Sequence, residues 1–166
     1  MYADDIVILA DDKKILQKMI DRLENYCSSW SMVVNLEKSK IMVFRKGGRL
    51  SNDEKWYFCG NEIEIVSSYC YLGVILTPRL SFQQHINERN SKAKKSINSI
   101  WKHFLGKSSI KFTSKYQLFL AVCRAIQCYA AEIWGFGYFD EVNILQRYFI
   151  KKYYVWRITL RIIVYI

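Results

Sequence analysis

Apolar positions along this chain of 166 residues fall into short strand-like runs and one helical stripe as far as Thr77-Pro78, and into helical stripes beyond it. The β-branched run Ile6-Val7-Ile8-Leu9-Ala10 reads as a buried strand. Ile15, Leu16, Met19, Ile20, Leu23, Tyr26, Cys27 and Trp30 then recur at helical spacing, one face of an amphipathic helix with Asp11 or Asp12 as its cap. Val33-Val34 starts a short extended piece. The polar turn Asn35-Leu36-Glu37-Lys38-Ser39-Lys40 leads into a second strand, Ile41-Met42-Val43-Phe44. After a flexible connection from Gly47 to Lys55, two arms around Gly60-Asn61 read as a hairpin, with Gly60 at the first turn position. A further strand spans Cys70 to Leu76, where Gly73 marks a bulge or a close approach of backbone.

Thr77-Pro78, with the chain's only proline, ends the sheet pattern. Beyond it, Ser81 is expected to cap a helix whose stripe is Phe82, Ile86, Ala93, Ile97, Ile100, Trp101, Phe104 and Leu105, with Gly106 as its end. The opposite side of that helix carries Arg89, Lys92, Lys94, Lys95 and Lys102, a basic face able to follow a phosphate backbone. A second helix, from about Thr113 to Trp134, is apolar nearly all round and is expected to be the central one of its group. A third begins after Asp140. The ending, residues 158–166, is β-branched and uncapped, and stays open between a strand, a frayed helix and a tail read out of frame.

Composition adds a partner class. At 51% hydrophobic residues the chain can bury a core, which excludes a disordered tail. Its net charge of +10 is unevenly placed: residues 1–66 carry 10 Lys/Arg against 11 Asp/Glu, and residues 67–166 carry 15 against 4. Such asymmetry suggests a face for a polyanion, nucleic acid first and an acidic membrane surface second, although a solvated lysine-rich surface accounts for the charge equally well. The five cysteines have no paired spacing, and His85 and His103 do not complete a zinc set. An odd cysteine count and no secretion signal fit an intracellular protein, nuclear or cytoplasmic. The one membrane-like stretch, Tyr116 to Phe139, contains Arg124, Glu132 and two glutamines, so burial in protein is expected there.

The candidate chemistry sits at the start. Asp4 and Asp5 abut the first apolar run, and two carboxylates held side by side repel each other unless a cation lies between them. Magnesium suits such a pair, because it takes one or two carboxylates and leaves its other positions to water and substrate phosphates. An Asp pair by itself is more often a turn or a helix cap.

Tyr2-Ala3-Asp4-Asp5, followed by Ile6 to Ala10, resembles the metal-binding hairpin of reverse transcriptases, most closely those of non-LTR (LINE-like) retrotransposons. Four further runs resemble the same family in the same order. They are Asn35 with Lys38, Ser39 and Lys40; Tyr71-Leu72-Gly73-Val74; Tyr129-Ala130-Ala131-Glu132-Ile133-Trp134-Gly135, with Ala130 where glycine is usual; and the segment Leu145 to Lys152. The resemblance implies an α+β fold, with a partial antiparallel palm sheet and its covering helix over residues 1–77. An all-helical thumb-like bundle over 78–157 would follow, and 158–166 has no assignment. It implies that Asp4 and Asp5 are magnesium ligands and that Lys38 or Lys40 approaches the departing pyrophosphate. Tyr71, Leu72 and Gly73 would support the primer end. The partners implied are an RNA template, a DNA primer and deoxynucleotides, with no membrane.

A complete enzyme of this kind needs a further aspartate on a strand preceding the hairpin, and fingers to hold the template. Residues 1–166 lack both, so the expectation is a fragment that is inactive by itself, with Ile6 to Ala10 left as an unpaired edge. The alternative is a non-catalytic basic nucleic-acid-binding module or an inert retroelement remnant.

Overall fold

Asp12 is extended, at φ −134° and ψ 146°, and its carboxylate accepts the Lys14 N–H at 2.5 Å, which satisfies an amide that the first helical turn leaves open. Helix α1 therefore runs Lys13–Ser29 in this computed structural model, which describes residues 5–48, 51, 54–137 and 139–163. Only the inner half of its predicted stripe is covered. Ile20 and Cys27 are buried and Leu16 and Leu23 half-buried, whereas Ile15, Tyr26 and Trp30 are exposed. Ile20 shares a small core with Ile41, Trp56, Phe58 and Ile63.

Polar side chains fasten α1 to the sheet. The Gln17 amide pairs with both backbone groups of Tyr57, accepting its N–H at 3.0 Å and donating to its carbonyl at 2.8 Å, as a neighbouring strand would. Glu24 accepts the Cys59 N–H at 2.9 Å, and the Trp56 indole donates to the Lys13 carbonyl at 3.1 Å.

The strands are shorter than their sequence patterns. β1 (Tyr57–Phe58) and β2 (Asn61–Glu62) pair antiparallel, and the turn between them is Cys59-Gly60, not Gly60-Asn61. Both turn residues have positive φ, 47° and 74°, the backbone of the tight hairpin turn that matches strand twist. The stretch expected as one strand from Cys70 to Leu76 is a second hairpin, β3 (Tyr69–Tyr71) and β4 (Val74–Leu76), because Leu72 and Gly73 also take positive φ, 46° and 77°.

Ile41 to Phe44 is not a strand either. It makes a single parallel bridge, Ile41 to Ile65, with hydrogen bonds of 2.9 Å to Glu64 and Val66. Pairing stops there because Ile63 already donates to Trp56 and the chain bends at Ser67. Ile6 to Ala10 forms no strand among the described residues, and Ile6, Val7 and Leu9 are 53%, 47% and 75% exposed. The buried strand expected from Ile6 to Ala10 is thus not found, and an exposed apolar run stands in its place.

Two compact units result, Met1–Tyr71 with Leu76–Leu80, and Leu72–Ile75 with Ser81–Ile166. The second unit is helical apart from its short piece of hairpin. α2 spans Gln83–Ile100; its N-cap is Phe82, without a side-chain bond, so Ser81 does not fill the capping position. The helix continues as a π-helical turn, Trp101–Leu105, and closes where the Gly106 N–H donates to the Trp101 carbonyl at 2.7 Å.

The single helix expected from Thr113 to Trp134 is instead interrupted. α3 (Phe112–Leu118), a π segment (Phe119–Arg124) and α4 (Ala125–Gln127) form one rod, and α5 (Ala131–Trp134) is set off from it by Ala130, whose φ is 56°. Leu120, Tyr129 and Ile133 lie exposed, so this element is not buried all round. The central helix is α2, which packs against α4, the second π segment and α6 (Phe139–Ile163). The core is Ala93, Ile97, Leu105, Phe119, Cys123, Leu145 and Phe149, all fully buried, with Phe119 and Phe149 stacked at 4.5 Å. Residues 158–163 prolong α6, which decides the helical reading of that part of the tail; 164–166 lie outside the described residues.

Candidate catalytic edge and nucleic-acid interface

Asp5 is exposed at the head of the unpaired apolar run, and Asp4, with Tyr2 and Ala3, lies outside the described residues. Among the described residues no three His, Cys, Asp or Glu side chains gather closely enough to hold a metal ion. One exposed carboxylate can give magnesium a single protein ligand, so the described residues fit a part of such a site and not the whole.

The two candidate lysines differ sharply. The Asn35 carbonyl accepts the Ser39 N–H at 3.0 Å and the Ser39 hydroxyl at 2.9 Å, and the Asn35 side chain accepts the Lys38 N–H at 3.2 Å. This turn leaves Lys38 exposed and turns Lys40 inward, where its ammonium meets Glu64 at 2.6 Å with its side chain 20% exposed. The Lys38 carbonyl accepts the Tyr69 hydroxyl at 3.0 Å, which fixes the loop without using the lysine side chain.

Around Leu72-Gly73 the second unit closes tightly. A Cβ added to Gly73 would lie 3.1 Å from the Tyr129 ring and 3.2 Å from the Arg89 guanidinium, so the positive φ and the close approach both require glycine. The expected close approach is present; the bulge is not. Arg89 donates to the Gly73 carbonyl at 2.6 Å and lies 4.3 Å over the Tyr129 ring, so it faces the protein and not solvent phosphates.

The remaining members of the predicted basic face divide. Lys92 is paired with Glu88 one turn away, and Lys94 is half-buried with its ammonium 5.7 Å from the Tyr148 ring. Lys95 and Lys102, seven residues apart on one side of the α2 rod, are exposed. Lys107, Lys111 and Lys151 are exposed too, and spacing on α2 alone did not point to them.

Sequence reasoning also passed over polar residues inside the apolar stripe. His85 is 1% exposed; its Nδ1 accepts the Ile75 N–H at 3.2 Å, and its ring meets Trp134 edge-on at 5.8 Å. Burial, and secondarily the Arg89 guanidinium, pushes its pKa below the ordinary 6.5. Asn90 accepts the Gln127 amide at 2.6 Å, and Gln127 also donates to the Val142 carbonyl at 3.1 Å, tying α2, α4 and α6 together. His85 and Asn90 interrupt the apolar stripe three residues from Phe82 and four from Ile86, a pattern that marks their face of the helix and not their burial.

Residues 1–76 match the family described as reverse transcriptase (RNA-dependent DNA polymerase). The likeness to individual proteins runs further along the chain. The RNA-directed DNA polymerase from mobile element jockey of Drosophila melanogaster is 21% identical over 154 residues, 87% of this chain and 17% of that protein. Its counterpart in Drosophila funebris is 22% identical over 160 residues, 91% of this chain and 17% of that protein. A transposon-derived protein of Caenorhabditis elegans is 26% identical over 145 residues, 82% of this chain and 48% of that protein. The chain thus spans about a sixth of the length of the jockey polymerases. No solved structure matches it.

Within the reverse transcriptase stretch fall Asp4, Asp5, Lys38, Lys40, Tyr71, Leu72 and Gly73, all of the predicted catalytic and primer-support positions. The basic residues of α2 lie beyond residue 76, outside the stretch that the family model matches. The five cysteines are free, and no helix among the described residues is long and apolar enough to cross a membrane.

Proposed function

We propose that the chain works as the second portion of the polymerase of a non-LTR retrotransposon, with residues 1–77 forming the Asp-Asp side of a palm and residues 78–157 a thumb-like helical region. The observation that carries this is the reverse transcriptase match over residues 1–76, which includes Tyr2-Ala3-Asp4-Asp5. The likeness to jockey polymerases across the helical unit supports the rest. Copying RNA into DNA would proceed with magnesium, which when bound neutralises charge on the attacking and leaving oxygens of the nucleotidyl transfer.

The chain's own residues would act as follows. Asp4 and Asp5 supply carboxylate oxygens to the ion. Lys38 would be the lysine that approaches the departing pyrophosphate, a choice supported by its exposed side chain, since that of Lys40 is held by Glu64. Tyr71, Leu72 and Gly73 would support the primer end at the hairpin turn. Lys95 and Lys102 track phosphates of the template-primer duplex, with Lys107, Lys111 and Lys151 as further positive surface.

Binding of a fluorescently labelled RNA template annealed to a DNA primer tests this reading on the full chain. Affinity should fall steeply with salt, and replacing Lys95 and Lys102 by Gln should reduce the slope of log K against log salt by just under one per lysine removed. A chain that does not bind the duplex, or binds with a slope indifferent to both lysines, overturns the proposal.

A further inference from the structure

Three backbone groups within residues 72–75 are bound by side chains from far along the chain. Tyr129 donates its hydroxyl to the Leu72 carbonyl at 3.0 Å, Arg89 donates to the Gly73 carbonyl at 2.6 Å, and His85 accepts the Ile75 N–H at 3.2 Å. These side chains also hold one another. The Arg89 guanidinium lies on the Tyr129 ring, Trp134 packs edge-on against His85, and the Trp134 indole donates to the Tyr129 carbonyl at 2.8 Å. The left-handed residue Ala130 sits between Tyr129 and α5, where the chain leaves the line of α4.

We infer that Arg89, Tyr129 and His85 are positioning residues that set the Leu72-Gly73 turn and so aim the primer end. The inference rests on the primer-support role given to that turn above. Two sequence runs that resemble the family at separate places, Tyr71 to Val74 and Tyr129 to Gly135, are on this account two halves of one clasp. Arg89 leaves the phosphate-binding set. Its planar fork serves a carbonyl and a ring at once, which the point charge of a lysine does not do. Leu72, with φ 46°, stays in a left-handed conformation because the surrounding bonds hold it there.

The test is amide hydrogen exchange on the full chain, for the wild type, Tyr129→Phe and Arg89→Lys, together with salt titrations of primer-template binding. Both variants should keep protection in α1 and α6 while exchange at Val74 and Ile75 rises by about tenfold or more. Arg89→Lys should not restore protection although it keeps the charge. Arg89→Gln should weaken primer-template binding severalfold with the salt slope unchanged, whereas Lys95→Gln flattens it. Wild-type exchange in both variants overturns the clasp, as does an Arg89→Gln slope as shallow as that of Lys95→Gln. If no variant binds nucleic acid, the primer-support reading fails by itself, and the exchange data still decide whether the clasp exists.

Discussion

Ala130 shows how one residue records a backbone demand. The related run has glycine there, and the structure gives the reason: φ is 56°, a left-handed conformation in which Cβ is crowded. We predict that Ala130→Gly raises stability by about 1 kcal/mol in urea unfolding, relief of strain outweighing the extra freedom of the unfolded chain; a decrease would contradict the assignment. His85 gives a prediction with a sign. Its pKa is lowered in the folded state, so between the two values the unfolded chain binds the extra proton. Stability is then full above about pH 6.5 and falls as pH drops through that value, by at most about 1.4 kcal/mol per pH unit from this one group. Measured as unfolding midpoint against pH, the fall should be absent in His85→Gln and retained when exposed His103 is changed instead. Neither the burial of His85 nor the withdrawal of Arg89 was legible from spacing, because each depends on the β3–β4 hairpin, 10 positions from His85 at Ile75 and 16 from Arg89 at Gly73. Lys38 and Lys40 were legible as a pair, but choosing between them needed Glu64, on a segment that only folding brings alongside.

Helices were legible where an element satisfies its own hydrogen bonds, and strands were not where pairing had to be supplied from elsewhere. α1 was marked by its stripe and by Asp12, and Asp12→Ala should cost about 1 kcal/mol by thermal or urea unfolding, since it leaves the Lys14 amide without its partner. An unchanged midpoint would show that the cap does not set the start of the helix. α2 was likewise marked, down to its end at Gly106, because Ile86, Ala93 and Ile97 fall on one face and are all buried. The hairpins were harder. Cys59-Gly60 and Leu72-Gly73 are the same kind of turn, yet one was read a residue out of place and the other as a bulge or a close approach within a single strand. Alternation defines a strand's faces and says nothing about where it reverses. The π segments and the break at Ala130 leave no periodicity of their own, so a run of apolar residues from 113 to 134 looked continuous. Phe149 shows what the helices depend on: it is fully buried against Phe119 and Trp101, and Phe149→Ala should cost about 3–5 kcal/mol. A loss below 1 kcal/mol on urea unfolding would mean this core is not what holds the helical unit.

Across the whole chain, charge and apolar exposure are unevenly divided. The first part is nearly neutral and presents an apolar run beside its carboxylates; the second carries the basic excess on a helical unit with its own core. Exposed Ile6, Val7 and Leu9 form an apolar surface of the kind that a pairing strand would cover. The most direct measurement is primer extension on a primed RNA template. It would compare purified residues 1–166 with a D. melanogaster jockey polymerase in which this chain replaces the region similar to it. Residues 1–166 alone should extend no primer, since two-metal catalysis needs ligands from more than one strand and the described residues hold no such group. The exchanged enzyme, checked for folding by circular dichroism, should copy the template and lose that activity with Asp4→Ala. Template copying by residues 1–166 alone that Asp4→Ala abolishes, or a folded exchanged enzyme that is silent or indifferent to Asp4→Ala, would contradict the account.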